Sequence, residues 1–158
     1  MESTRPATAQ DAARCGELCR EAVAGVEAAR GGALWMRGAP GQLAEALLAP
    51  GGLDRLLADG ARRVVVGTVD GAVVGLGVGR VEGRAETAWG VIEGCYVEPG
   101  ARGVGVGSAL VEDLVAWLAA RGCRGVDASA LPGDRTTKSL LEASGFKARL
   151  ITLHRPLS

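Results

Sequence analysis

Arg102, Gly103, Gly105 and Gly107 stand directly before an amphipathic run, in the stretch EPGARGVGVGSALVEDLVAWLAARG (98–122). Glycine weakens a helix, so glycine at every second position just ahead of one needs a reason. Here the backbone of Gly103, Val104, Gly105, Val106, Gly107 and Ser108 can be approached closely by a ligand. The first N–H groups of the following helix have no partner inside it, and that end of its dipole is positive. Together these features suit an anion, above all a pyrophosphate. A flexible turn that lets helix and sheet pack closely is the other reading. Two other phosphate motifs fail on spacing. A Walker A loop needs a lysine before its Ser/Thr, whereas Ser108 directly follows Gly107. GVGVGS also lacks the last glycine spacing of a dinucleotide fingerprint.

A second group lies just upstream, in TAWGVIEGCYVEP (87–99). Strict strand alternation puts Trp89, Val91, Glu93, Cys95 and Val97 on one face, and Ile92, Gly94 and Tyr96 on the other. Glu93 then sits in an apolar row. Burial would favour its protonated form and tune it as a general base for an amine. Pairing with an arginine across the sheet is the equal alternative. Tyr96, the only tyrosine, reads as a proton donor or as a pocket wall. Cys95 has no histidine neighbour to activate it as a nucleophile. Cys15, Cys19, Cys95 and Cys123 read as reduced core thiols, and with His154 the only histidine, no metal site is expected.

These residues need a scaffold, and the pattern supplies alternating elements. TRPAT (4–8) reads as a first strand, and Asp11 can cap a helix over 12–30. GGALWMRGAPG (31–41) reads as a loop, followed by helical pieces at 42–48 and 53–59. Segments 64–68 and 72–81 read as a hairpin turning at Asp70-Gly71. After strand 87–99 comes the glycine-led helix, whose stripe is Gly107, Leu110, Val111, Leu114 and Leu118. Strand 124–131, a helix over 134–144 and a last strand FKARLITLHRPL (146–157) complete the chain. The expected fold is α/β (α+β), one domain over 1–158. Its mixed, mostly antiparallel sheet has about six to seven strands, with helices on both faces.

Composition excludes several classes. The 158 residues are 47% hydrophobic and 23% charged, with a formal net charge of +0. That balance predicts no broad attraction to nucleic acid. Apolar runs are broken well before about 18 residues, so no membrane span is expected. The start, MESTRPATAQD, lacks a signal-peptide apolar core, which points to the cytoplasm. Only Lys138 and Lys147 are lysines, so the basic residues are nearly all arginine.

VEPGARGVGVGSALVEDL resembles the acyl-CoA site of the GNAT superfamily of N-acyltransferases. That family's signature is Arg/Gln-x-x-Gly-x-Gly/Ala, matched by Arg102, Gly105 and Gly107. TRPATAQDAARCGELCREA resembles its first strand and helix, VVVGTVDGAVVGLGVGRV its second and third strands, and SLLEASGF the end of its last helix. The resemblance implies acetyl-CoA as donor and a primary amine as acceptor. The pyrophosphate would rest on the amides from Arg102 to Ser108. The pantetheine arm would pair with backbone at Cys95, Tyr96 and Val97, where the sheet splays. Lys138 and Ser139 lie on the helix that borders the coenzyme in the family, Lys138 near a phosphate. Last strands of the family often pair, which implies a possible homodimer. Two departures stand out. Leu141 occupies the place of the family's usual tyrosine acid, and Asp134 that of an asparagine. An acyl-CoA-binding module or regulatory protein without turnover is therefore the alternative to an acetyltransferase.

Overall fold

The computed structural model describes residues 1–157. Its centre is a five-stranded sheet in the order β1 (Glu2–Pro6), β2 (Arg62–Val69), β3 (Ala72–Glu82), β4 (Trp89–Val97) and β5 (Val126–Ala128). The first three neighbour pairs are antiparallel and β4–β5 is parallel. The hairpin turns where expected. Asp70 (φ 48°) and Gly71 (φ 84°) both take the left-handed region that a tight two-residue turn demands.

Helices cover both faces. On one side α1 (Ala12–Glu27), α2 (Gly32–Arg37), α3 (Ala39–Leu48) and α4 (Gly52–Ala58) precede the hairpin. Cys15, Leu18, Leu43, Leu47, Leu53 and Leu56 from these helices pack on Val64, Val66, Leu76 and Val78 of the sheet. On the other side lie α5 (Val106–Ala120) and α6 (Arg135–Ala143). Val106, Leu110, Val111 and Leu114 of α5 are buried there with Val65, Val74 and Ile92. The helix sinks into a trough of glycines. A Cβ on Gly77 or Gly79 would meet Leu114, one on Gly90 would meet Leu118, and one on Gly67 would collide with Val106. The missing side chains set the height of α5 above the sheet, and so the position of its N-terminus.

Three expectations are corrected. The glycine-rich segment 31–41 is no loop: it holds α2 and the start of α3, with Pro40 in the first turn of α3, where its fixed φ fits. Segment 146–157 forms no strand, so the sheet has five strands rather than six or seven. The strand expected over 124–131 is paired only at Val126–Ala128. No described helix is long and apolar enough to cross a membrane.

Candidate active site

Strict alternation fails on β4, and the failure builds the site. Val78 of β3 faces Gly94, yet the next residue, Gly79, faces Ile92, leaving Glu93 as an extra residue. This β-bulge inverts the faces on either side of it. Ile92, Cys95 and Val97 all pack toward α5, while Tyr96 packs toward α1 and a Cβ on Gly94 would touch Leu43 of α3. The expected grouping of Glu93 with Cys95 and Val97 is therefore wrong: Glu93 shares the Tyr96 side.

There Glu93 meets arginines. Arg62 Nε donates to its Oε2 at 2.9 Å, and Arg80 Nε to its Oε1 at 2.8 Å. Arg62 also pairs with Asp59, and Arg80 with Glu82. Glu93 is only 3% exposed, so these partners compensate a charge that burial alone would not tolerate. The geometry is the ion-pair alternative. Both carboxylate oxygens are occupied by guanidinium N–H groups, so neither is left free toward an amine.

β5 pairs with β4 only from Gly90 to Ile92. Beyond that point β5 has ended, and the backbone from Glu93 to Val97 borders a cleft of about 840 Å³. The loop after β4 closes its floor. Gly103 (φ 81°) and Gly105 (φ 96°) are both left-handed, which turns the chain so that α5 starts at Val106 with no side-chain cap. Gly103, Gly105, Gly107 and Ser108 line the cleft, and Val104 projects outward, 51% exposed. Gly107 also has a packing reason, since a Cβ there would press on Leu140 of α6 at 3.1 Å. Arg102 folds back. Its Nε donates to the Val97 carbonyl at 2.8 Å, and its guanidinium lies 5.6 Å from the centre of the Tyr96 ring.

Tyr96 is half-buried and its hydroxyl donates to Glu21 Oε2 at 3.3 Å. Burial, with the charge of Glu21, pushes the phenol above its usual value of 10. Cys95 lines the cleft, but burial pushes its thiol up to about 12, so it holds its proton and is no nucleophile at neutral pH. Among the described residues no group of three or more His, Cys, Asp or Glu is placed to hold a metal ion.

Two expected donors of contacts point elsewhere. Lys138 is exposed and pairs with Glu142 at 3.3 Å, and Ser139 is exposed and outside the cleft. Instead Thr136, Thr137 and Leu140 of α6 line it, because the turn that caps α6 aims its first residues inward. Asp134 makes that cap, accepting from Thr137 N at 3.0 Å and from Thr137 Oγ1 at 2.7 Å. Leu141 is buried beside Phe146. Sequence reasoning also missed Glu21, Trp35 and Met36. A tryptophan and methionine isolated among glycines were the available signal for the last two; Glu21 carried none.

Comparison with known proteins gives the same outline. The pattern of the "Acetyltransferase (GNAT) family" matches residues 34–146. An aminoglycoside N(6')-acetyltransferase type 1 of Stenotrophomonas maltophilia is 33% identical over an alignment of 95 residues that covers 56% of this chain and 62% of that protein. The chain thus spans less than two thirds of that relative. The solved structure of AAC(6')-Iy in complex with a bisubstrate analog aligns at TM-score 0.70 and 20% identity, over 99% of both chains. A transcriptional regulator from Bacillus halodurans aligns at TM-score 0.74 and 20% identity, over 99% of this chain and 100% of that one. At such identities these structures speak for the fold.

Proposed function

The chain belongs to the acetyltransferase (GNAT) family, and from that premise we propose that it moves an acetyl group from acetyl-CoA to a primary amine by direct attack. The observation that carries this reading is the pairing of an uncapped α5 N-terminus, reached through left-handed Gly103 and Gly105, with the open edge of β4. The amides from Gly103 to Ser108 would receive the pyrophosphate. The free backbone of Cys95 and Tyr96 would pair with the pantetheine amides, while Arg102 already engages the Val97 carbonyl.

In the reaction the neutral amine nitrogen attacks the thioester carbon and the C–S bond breaks. Sulfur leaves as a thiolate that takes up a proton, and nitrogen gives one up. Tyr96 is the protonated group that the cleft offers to sulfur. Glu21, bonded to it, is the carboxylate assigned to the proton of nitrogen, since Glu93 and Asp134 are engaged elsewhere. Direct attack is favoured over a covalent relay because the Cys95 thiol stays protonated. The same reading carries a homodimer, in which a second copy covers the exposed Leu150, Ile151, Leu153 and Leu157.

Gly105→Val tests the donor site. A β-branched residue at φ 96° is strained, and its Cβ would come within 3.6 Å of the Glu2 side chain, so the loop that presents the amides must shift. Calorimetry should show coenzyme A binding weakened at least tenfold, with thiol release lost in parallel. A folded variant with unchanged affinity would put the pyrophosphate elsewhere. Wild-type protein that binds coenzyme A but releases no thiol with any amine would be a binding module instead.

A further inference from the structure

The far arm of the cleft, away from α5, has a character that its charge and its walls define. It runs between α1 and the α2–α3 pair, and Val23, Val26, Trp35, Met36, Leu43 and Leu47 line it. The α1–α2 turn bounds it by reaching across to the β5–α6 loop, where a Cβ on Gly31 would meet Leu131 at 3.6 Å and Pro132 at 3.8 Å. Its carboxylates are engaged. Glu93 is held by Arg62 and Arg80, and Asp134 caps α6. Arg30 and Arg102 add positive charge to the lining. One further carboxylate stands at its edge: Glu21, exposed and outside the lining, accepts from the Tyr96 hydroxyl at 3.3 Å. A polycation would leave several ammonium groups facing apolar walls and two guanidiniums, with one counter-charge to share. Desolvating unpaired charges is costly, whereas an apolar group gains by entering.

We propose that the acceptor is a monoamine on an apolar body, an aryl-alkyl or branched alkyl amine, rather than a polycationic aminoglycoside or polyamine. The proposal rests on the acetyl-transfer reading above. The ammonium docks at Glu21 and Tyr96, and the body lies against Val26, Trp35 and Met36.

The test measures coenzyme A release from acetyl-CoA with 2-phenylethylamine, neamine and spermidine. kcat/KM for 2-phenylethylamine should exceed that for the two polycations by about 100-fold, within the roughly 10–200-fold that one apolar group contributes to discrimination. Met36→Glu should cost 2-phenylethylamine about tenfold and narrow the ratio; Val26→Asp should do the same if Met36→Glu does not fold. Neamine or spermidine turning over as well as 2-phenylethylamine would overturn the inference and leave acetyl transfer standing. Turnover with none of the three passes the decision to binding. Titration of each amine into the coenzyme A complex then reads the walls directly: tighter 2-phenylethylamine sustains the inference, and equal or tighter neamine overturns it. Octanoyl-CoA outcompeting acetyl-CoA, with that advantage lost in Met36→Glu, would assign the arm to the donor's acyl chain and overturn it as well.

Discussion

On the proposed reading, two side chains on β4 divide the work between chemistry and architecture. Tyr96 borders the cleft with its proton held firmly, since burial and Glu21 both raise its affinity for it. Replacing it with phenylalanine keeps the ring under Arg102 and removes only the hydroxyl. kcat should fall about 100-fold, at the low end of general acid catalysis, while coenzyme A affinity stays level. Because the phenol titrates above its ordinary value of 10, no loss of rate from its ionisation should appear below about pH 9. Calorimetry beside a pH–rate profile separates these outcomes, and an unchanged kcat would mean that the thiolate leaves unaided. Glu93 predicts the reverse pattern. Glu93→Gln leaves Arg62 and Arg80 facing each other without their shared anion. Stability should drop by about 2–4 kcal/mol, as when a buried pair loses one member, while the folded fraction turns over within a few-fold of wild type. A normal thermal midpoint with a 100-fold lower kcat would restore Glu93 to the mechanism.

The entry to α1 shows how a short element is held by one ion pair. Asp11 accepts from Arg5 Nη1 at 2.8 Å and Nη2 at 2.9 Å, and from the Thr8 amide at 2.8 Å, so β1 is tied to the first turn of the helix. Chiefly through the Arg5 hydrogen bonds, its carboxyl is lowered from 3.8 to about 2. A lowered folded-state value means that the stabilisation is complete above the unfolded value and disappears as pH falls through the folded one. Asp11→Asn should therefore cost about 2 kcal/mol at pH 7, and wild type and variant should converge as pH drops from about 4 to 2. Urea denaturation at stepped pH measures this, and a gap independent of pH would remove the ion pair as its cause. The helix start after Asp11 was legible in the sequence, although its carboxylate binds Arg5 and Thr8 rather than capping α1; so were the Asp70-Gly71 turn and the glycine-led α5. Periodicity and turn chemistry are local, and local rules carry them. The bulge at Glu93 was not legible, because an extra residue in one strand shows only against its partner. Helix α2 was hidden for a related reason: its glycines argue for a loop, and contacts with α1 and α3 override that preference. On α6, Asp134 capping turns Thr136 and Thr137 inward, a rotation that helix spacing alone could not assign to Lys138 or Ser139.

At the scale of the whole molecule, polarity is out of balance at one end. The core is closed by two helix layers, yet segment 146–157 leaves Leu150, Ile151, Leu153 and Leu157 between 78% and 91% exposed. The segment touches the rest of the chain near β5, where Arg149 pairs with Asp127 at 3.6 Å and lies 5.5 Å from the Trp89 ring centre. β5 itself is three residues long and has one sheet neighbour, β4, so its outer edge is unpaired. An unpaired strand edge next to an extended apolar segment favours pairing with another chain. Each aliphatic side chain fully covered would contribute about 1.5–3 kcal/mol, and in a symmetric pair every such contact occurs twice. The full chain should therefore sediment as a dimer at micromolar concentration. A chain ending at Arg149 should sediment as a monomer with the same far-UV circular dichroism, because no sheet or helix is removed. Its coenzyme A affinity should also persist, since Gly103 to Ser108 and the open edge of β4 lie within the protomer. A full chain that stays monomeric up to about 100 μM would overturn the dimer, and a truncated chain that still dimerises would move the interface to another face.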